Sequence, residues 1–241
     1  MENDMQTTAL DPMVSRTLEA YEKTGLTLVI GNKNYSSWSM RPWVAMTAFG
    51  IPFKEVRILL DQADTANKIA EYSSSGRVPV LLAGEITIWD SLAICEYLAE
   101  QFPEKNMWPE DVAARAMARS VCAEMHSGFS ALRQAMGMNI RMSFPGKGRN
   151  AGSQADIGRI SEIWEECFAK YGHQGFLFGD FSIADAFFAP VVMRFRTYTV
   201  ALAPALQAYC ERVIEHPAVA QWMREAYAEK ESIPAADVVP Q

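Results

Sequence analysis

The sequence has 241 residues, of which 49% are hydrophobic and 21% are charged, and its formal net charge at pH 7 is −7. This composition excludes a disordered or fibrous chain, and the length allows one large domain or two modest ones. The negative charge and the scattered Lys and Arg residues argue against a nucleic-acid partner, because phosphate binding depends on clustered basic side chains.

The cysteines and the N-terminal segment indicate the compartment. Cys95, Cys122, Cys167 and Cys210 lie far apart and form no C-x-x-C pair. We therefore expect buried free thiols in a reducing compartment, with no disulfide framework and no metal site. The first 25 residues lack the apolar stretch of a secretory signal, and no later run reaches the ~18 apolar residues that cross a membrane. We expect a cytoplasmic protein with no membrane partner.

The first part of the chain predicts alternating strands and helices, from apolar runs, turn residues and helix caps. The predicted elements are a strand at 26–30, a helix at 40–49, a strand at 54–59, a short helix at 64–72, strands at 78–82 and 85–88, and a helix at 92–102. Ala83-Gly84 predicts a tight hairpin between the last two strands. The order is β-α-β-α-β-β-α.

The second part of the chain predicts helices only, because Ala, Glu, Met and Arg dominate from Glu110 onward. A long helical stretch is predicted to about Ile140, a loop at 143–153, and further helices at 154–171, 183–199, 204–215 and 218–229. The Pro-rich end of the chain is predicted to be loose. The resulting division is an N-terminal extension (1–25), a mixed α/β domain (26–102), a linker (103–109), an all-helical domain (110–230) and a tail (231–241).

Val78-Pro79 is the first unusual feature of the mixed domain. Proline is disfavoured inside a strand because it has no N–H for the hydrogen-bond ladder. A cis X-Pro bond at this place would expose the Val78 N–H and C=O for pairing with an extended peptide. An edge-strand proline without a ligand explains the same residues equally well.

Asp90-Ser91 follows a strand and begins a helix, where Asp and Ser are favoured caps. A capping role alone explains the pair. The N–H groups and the Ser91 hydroxyl at a helix N-terminus also suit a carboxylate, while Asp90 suits an ammonium group. A ligand with both groups at one end is an amino acid or a γ-glutamyl group.

Ser36-Ser37-Trp38-Ser39 lies between the first strand and the first helix, the usual position of a site in an open α/β sheet. A hydroxyl there can donate to an anion, although serines also fill turns and cap helices. The histidines, His126, His173 and His216, all lie in the helical part, so a hydrolase triad is unsupported. Further along, Ser182 and Asp185 fit a helix-capping box, with a role in folding.

Taken together, these motifs resemble those of cytosolic glutathione transferases over residues 26–229. The segment 36–41 is similar to the serine motif of zeta-type and tau-type members, Val78-Pro79 to their cis-proline, Asp90-Ser91 to their acidic-Ser pair, and residues 182–185 to their capping box. The resemblance implies a thioredoxin-like N-terminal domain, an all-helical C-terminal domain and a homodimer.

The resemblance also assigns roles to the site residues. Ser36 matches the serine that hydrogen-bonds the glutathione sulfur, with Ser37 as the alternative donor. Val78, followed by Pro79, matches the backbone clamp on the cysteinyl group, and Asp90 with Ser91 matches the γ-glutamyl site. Arg77 occupies the place of a basic residue that reaches the glycyl carboxylate in tau-like members. Four residues are expected to line the space for the electrophile: Tyr35, Trp38, Met138 and Met142.

Trp38 departs from the family pattern, and this bears on which reaction the chain catalyses. Zeta-type enzymes that isomerise maleylacetoacetate have a cysteine where this chain has Trp38, and omega-type thiol chemistry needs a cysteine at position 36. We therefore expect a glutathione transferase that acts on a small hydrophobic electrophile. The alternatives are a glutathione-dependent isomerase or dehalogenase, and a non-catalytic member of the fold that binds a ligand or a protein.

Overall fold

The computed structural model describes residues 24–171 and 175–238. From Leu26 onward, the N-terminal part contains four strands and three helices, and a short 3-10 turn, Pro103–Lys105, follows it. In chain order these are β1 (Leu26–Ile30), α1 (Ser37–Ala48), β2 (Lys54–Arg57), α2 (Thr65–Ala70), β3 (Val80–Ala83), β4 (Ile86–Trp89) and α3 (Ser91–Gln101). The predicted order β-α-β-α-β-β-α is confirmed.

The strands form one sheet in the order β2-β1-β3-β4, with β2 parallel to β1 and the other neighbours antiparallel. The central strand β1 is buried along most of its length, which explains its continuous apolar sequence. Pairing of β3 begins at Val80, opposite Val29, so Pro79 precedes the ladder and removes no hydrogen bond from it. The Val78-Pro79 peptide bond is cis.

The C-terminal part is helical, as predicted, and the fold is a thioredoxin-like domain followed by a helical domain. Its helices are α4 (Val112–Ser127), α5 (Ser130–Ala135), α6 (Ala151–Lys170), α7 (Ile183–Tyr198), α8 (Pro204–Glu215) and α9 (Pro217–Ala228). Helix α7 is buried along almost its whole length and packs against α1 and α4. Within the two described ranges, no helix is long and apolar enough to span a membrane.

The helical stretch predicted from Glu110 to about Ile140 is interrupted at Gly128 and ends at Ala135. Helix α4 ends at Ser127, Gly128 is extended, and Phe129 takes a left-handed conformation with φ of 60° before α5 begins. A Cβ on Gly128 would lie 2.8 Å from the carbonyl oxygen of Glu124, so only glycine fits this break without a shift of the backbone. The segments on both sides are rich in alanine, which favours helix, so the sequence predicts no break at this position.

Helix α1 begins at Ser37, three residues before the predicted start at Met40. The reason is Ser36, whose Oγ accepts a hydrogen bond from the Ser39 N–H at 3.4 Å and so caps the helix. The serine motif therefore forms the cap and first turn of α1.

The prediction of a loose C-terminal end is wrong for residues 231–238, and residues 239–241 lie outside the described part. Glu229 accepts hydrogen bonds from the backbone N–H groups of Lys33 and Asn34 at 2.7 and 3.1 Å. Tyr35 donates its hydroxyl proton to Asp237 at 2.9 Å. Polar contacts with the loop after β1 thus hold this segment in place. The sequence of the segment has no apolar pattern from which this docking could be predicted.

Candidate active site

A cleft of about 520 Å³ lies between the loops of the mixed domain and helix α4. Six of the eight predicted site residues line it: Trp38, Arg77, Val78, Pro79, Asp90 and Ser91. They come from three separate segments of the chain, which the fold brings to one place. Ser75, Trp89 and His126 complete the lining.

Val78 is part of the wall of this cleft. Within the described residues, neither its N–H nor its C=O has a backbone hydrogen bond. Buried or half-buried backbone groups need partners, so both groups are available to an extended peptide. Arg77, next to it, adds a positive charge at the same wall.

Asp90 and Ser91 form the N-terminal end of α3. Asp90 caps the helix through Oδ1, which accepts hydrogen bonds from the N–H groups of Leu92 and Ala93 at 2.8 and 3.5 Å. Its Oδ2 lies 3.0 Å from Nε2 of His126. Ser91 is buried, and its Oγ accepts a hydrogen bond from Nη1 of Arg41 at 3.4 Å, which leaves the hydroxyl proton for a ligand. The pair therefore caps the helix and presents a hydroxyl donor at its N-terminal end.

Ser36 and Ser37 are both 7% exposed and do not belong to the wall of the cleft. Ser36 donates to Oγ of Ser39 at 2.7 Å in addition to its capping role. Ser37 Oγ accepts a hydrogen bond from Nη2 of Arg194 at 3.1 Å. The structure thus places Trp38, rather than either serine, at the surface of the cleft.

Trp38 is held by two arginines. The guanidinium carbons of Arg41 and Arg133 lie 4.4 and 4.7 Å from its ring centroid, within the range of cation–π attraction. Arg41 also lies 4.7 Å from the ring centroid of Phe187. These contacts fix the indole as a rigid wall.

The region behind Trp38 is strongly positive. Arg41, Arg133 and Arg194 form no ion pair with a carboxylate among the described residues. Burial, together with the neighbouring Arg133, lowers the pKa of Arg41 to about 9 and that of Arg194 to about 10. Unpaired buried cations favour an anion nearby, and a thiolate at Trp38 would be such an anion.

Three of the residues expected near the electrophile lie elsewhere. Tyr35 turns its hydroxyl toward the C-terminal segment, Met138 is buried in the helical core, and Met142 is partly exposed away from the cleft. Only Trp38 of the four lines the cleft. Sequence reasoning missed His126 because nothing near it in the chain connects a histidine of α4 with the start of α3, and His173 lies outside the described residues.

The thiols take no part in this site. Cys95, Cys122, Cys167 and Cys210 are free and buried. Burial raises the pKa of Cys167 and of Cys210 to about 12 and raises those of the other two thiols as well. No protein thiolate is available in the described part of the chain to act as nucleophile.

Two domain models of the glutathione S-transferases match the chain, the N-terminal one at residues 35–101 and the C-terminal one at residues 116–225. A maleylacetoacetate isomerase of Rattus norvegicus is 30% identical over 178 residues, which cover 70% of this chain and 78% of the rat protein. A probable maleylacetoacetate isomerase of Caenorhabditis elegans is 32% identical over 96 residues, and that match covers 40% of this chain and 44% of the nematode protein.

Comparison with solved structures also identifies glutathione transferases as similar proteins. A glutathione transferase homologue from Burkholderia, solved with bound glutathione, has 26% sequence identity and a TM-score of 0.65. The superposition covers 85% of this chain and 98% of that one. The matched segments contain every residue of the cleft described above, and the chain belongs to the glutathione S-transferase family.

Proposed function

We propose that this chain binds glutathione in the cleft and activates its thiol for attack on a small hydrophobic electrophile. The observation that carries the proposal is the convergence of three groups on one cleft: the free Val78 backbone, the capped N-terminus of α3, and Arg77. These are the groups that a tripeptide with a γ-glutamyl end requires.

Glutathione would lie extended along the cleft. Its γ-glutamyl carboxylate would accept from the Ser91 hydroxyl and the N-terminus of α3, and its ammonium group would pair with Asp90. The cysteinyl backbone would pair with Val78, next to the cis Pro79, and Arg77 would reach the glycyl carboxylate. This arrangement directs the thiol toward Trp38 and the start of α1.

Activation means a larger thiolate fraction. A free thiol with a pKa of ~8.5 is only a few per cent ionised at neutral pH. The N-terminus of α1 and the arginines behind Trp38 favour the anion. We propose Ser36 as the hydroxyl donor to the sulfur, its proton turning from Ser39 to the thiolate when glutathione binds. Ser37 is the alternative, since the bond from Arg194 leaves the Ser37 proton free to donate.

An isomerase is the second candidate, because the rat and nematode relatives carry that name. The same activated thiol would add to the substrate and leave again, so the difference lies in the electrophile. Trp38 stands where zeta-type enzymes have a cysteine, which favours conjugation. Dehalogenation and ligand binding without catalysis remain the alternatives that assays must separate.

We also propose that the glutathione-binding domain covers residues 26–102 and the helical domain 110–230, and that the protein works as a cytoplasmic homodimer. The four free thiols suit a reducing compartment. Ile86 on the edge strand β4 is 53% exposed, and a partner subunit would cover such an apolar edge.

Calorimetric titration of glutathione into wild type and Asp90→Ala tests the binding site, and conjugation of a chloronitroarene tests the chemistry. We expect wild type to bind and Asp90→Ala to bind at least about tenfold more weakly, since a charge-assisted hydrogen bond is lost. No binding by wild type overturns both the transferase and the isomerase.

The sulfur donor is tested with Ser36→Ala and Ser37→Ala. We expect Ser36→Ala to leave glutathione affinity nearly unchanged and to raise the pH at which the bound thiol ionises, measured by thiolate absorbance. If only Ser37→Ala raises that pH, Ser37 is the donor. If neither variant does, the arginines and the helix N-terminus alone stabilise the thiolate.

A further inference from the structure

His126 bridges the two domains across the cleft. It lies near the end of α4 in the helical domain, and its Nε2 is 3.0 Å from Oδ2 of Asp90 at the start of α3. Its ring packs edge to face against Trp38, with 5.2 Å between the centroids. Both contacts lie at the wall of the same cleft.

The surroundings of His126 determine which nitrogen carries the proton. To donate to the Asp90 carboxylate, Nε2 must carry a hydrogen. Nδ1 is buried and has no hydrogen-bond partner among the described residues, so a second proton there would be unsatisfied. Burial lowers the pKa of His126, Asp90 raises it, and Arg41 and Arg133 lower it further, with a net decrease. At neutral pH His126 is therefore an uncharged donor.

Because His126 is an uncharged donor, Asp90 keeps its full negative charge. Oδ1 of Asp90 is occupied by the N–H groups that it caps, so Oδ2 is the oxygen available to a ligand. The His126 bond fixes the direction of Oδ2 without neutralising its charge, and the oxygen retains a lone pair for a second donor. Asp90 is 42% exposed, and among the described residues the contact with His126 is the one polar contact of Oδ2.

We propose that His126 is a positioning residue for the ammonium end of glutathione, acting through Asp90 and completing from the helical domain a subsite that the N-terminal domain otherwise builds. The inference rests on the proposed function, because it takes the occupant of the cleft to be glutathione. It assigns to α4 a role in binding the cosubstrate.

The test compares two ligands and two variants. Glutathione and its deaminated analogue, glutaryl-cysteinylglycine, share the thiol and both carboxylates and differ in the ammonium group. His126→Leu removes the donor, and His126→Gln places an amide N–H close to the position of Nε2. Glu124→Gln, two residues away in the same helix, breaks only an exposed ion pair with Arg159 and serves as the control.

We expect His126→Leu to weaken glutathione binding about five- to tenfold in calorimetry, less than direct loss of a hydrogen bond to a charged group, because Asp90 itself stays in place. Binding of the analogue should change less than about twofold, because it has no ammonium for Asp90 to hold. His126→Gln should restore glutathione affinity to within about threefold of wild type. Glu124→Gln should leave both ligands unaffected.

Each contrary result has a distinct meaning. If wild type binds neither ligand, the proposed function fails and this inference fails with it. If wild type binds glutathione but His126→Leu weakens both ligands equally, His126 is only part of the wall and the inference is overturned. Should His126→Leu not fold, His126→Asn replaces it, because its shorter amide falls short of Asp90. Wild-type affinity in His126→Asn then also overturns the inference.

Discussion

Replacement of Asp185 by alanine should destabilise the protein far more than replacement of another capping aspartate. Asp185 is fully buried at the start of α7. Its carboxylate accepts from Leu177 N–H at 3.1 Å, from Ser182 N–H at 2.9 Å and hydroxyl at 3.1 Å, and from the Tyr209 hydroxyl at 3.1 Å. It thereby ties α8 and the loop before α7 to the most buried helix.

The expected magnitude follows from the donors left behind. Asp185→Ala leaves two N–H groups and the hydroxyls of Ser182 and Tyr209 without their acceptor, and each buried donor costs about 1 to 3 kcal/mol unless the structure relaxes. Partial relaxation and entry of water bring the total to about 3 to 5 kcal/mol. Asp111 provides the matched comparison, because it caps α4 through one bond to the Ala114 N–H at 2.8 Å and lies at the surface. Asp111→Ala should cost about 1 kcal/mol.

Thermal melts followed by far-UV circular dichroism measure the difference. For a chain of this size, we expect the melting temperature to fall by about 10 °C for Asp185→Ala and by about 3 °C for Asp111→Ala. Urea titrations with tryptophan fluorescence provide an independent measurement. Equal losses in the two variants would refute the reasoning, since they would show that the buried donors find other partners.

Further predictions concern the C-terminal segment, pH and the thiols. The side chain of Glu229 is 3% exposed and accepts from two N–H groups of the loop before Ser36, whereas that of Glu231 is 36% exposed. Glu229→Ala should lower the free energy of unfolding by about 3 kcal/mol and reduce conjugation rates several-fold. Glu231→Ala should lower it by less than about 1 kcal/mol, and thermal melts with rate assays measure both effects. Burial raises the pKa of Asp185 to about 6, above its unfolded value of ~3.9. The folded state therefore binds more protons than the unfolded state between these pH values, so stability should fall as pH rises through that window. In Asp185→Asn, this part of the pH dependence of the melting temperature should be absent. The native protein should resist iodoacetamide at pH 8, while mass spectrometry should detect four modified cysteines in urea; rapid native alkylation would contradict the burial.

The order of elements in the mixed domain could be predicted from the sequence because its signals are local. Apolar runs predicted the strands, Gly84 predicted the hairpin, and the caps at Asp90 and Ser182 depend on residues within one helical turn. The helix break at Gly128 was missed, because glycine alone in a helical pattern does not specify a break and the left-handed Phe129 after it gives no signal.

The motifs of the site could also be recognised in the sequence, but the sequence did not show which of their residues lie together in the folded chain. Six of the predicted residues meet in one cleft, whereas the hydrogen bonds of Ser37 with Arg194 and of Asp90 with His126 join residues from different domains. The docking of the C-terminal segment through Glu229 is of the same kind. Strand periodicity, turns and caps depend on neighbours within a few residues, so the sequence by itself determined them. Charge partners and burial depend on how distant segments pack, so only the tertiary structure decided which groups face the cleft and which histidine lies beside Asp90.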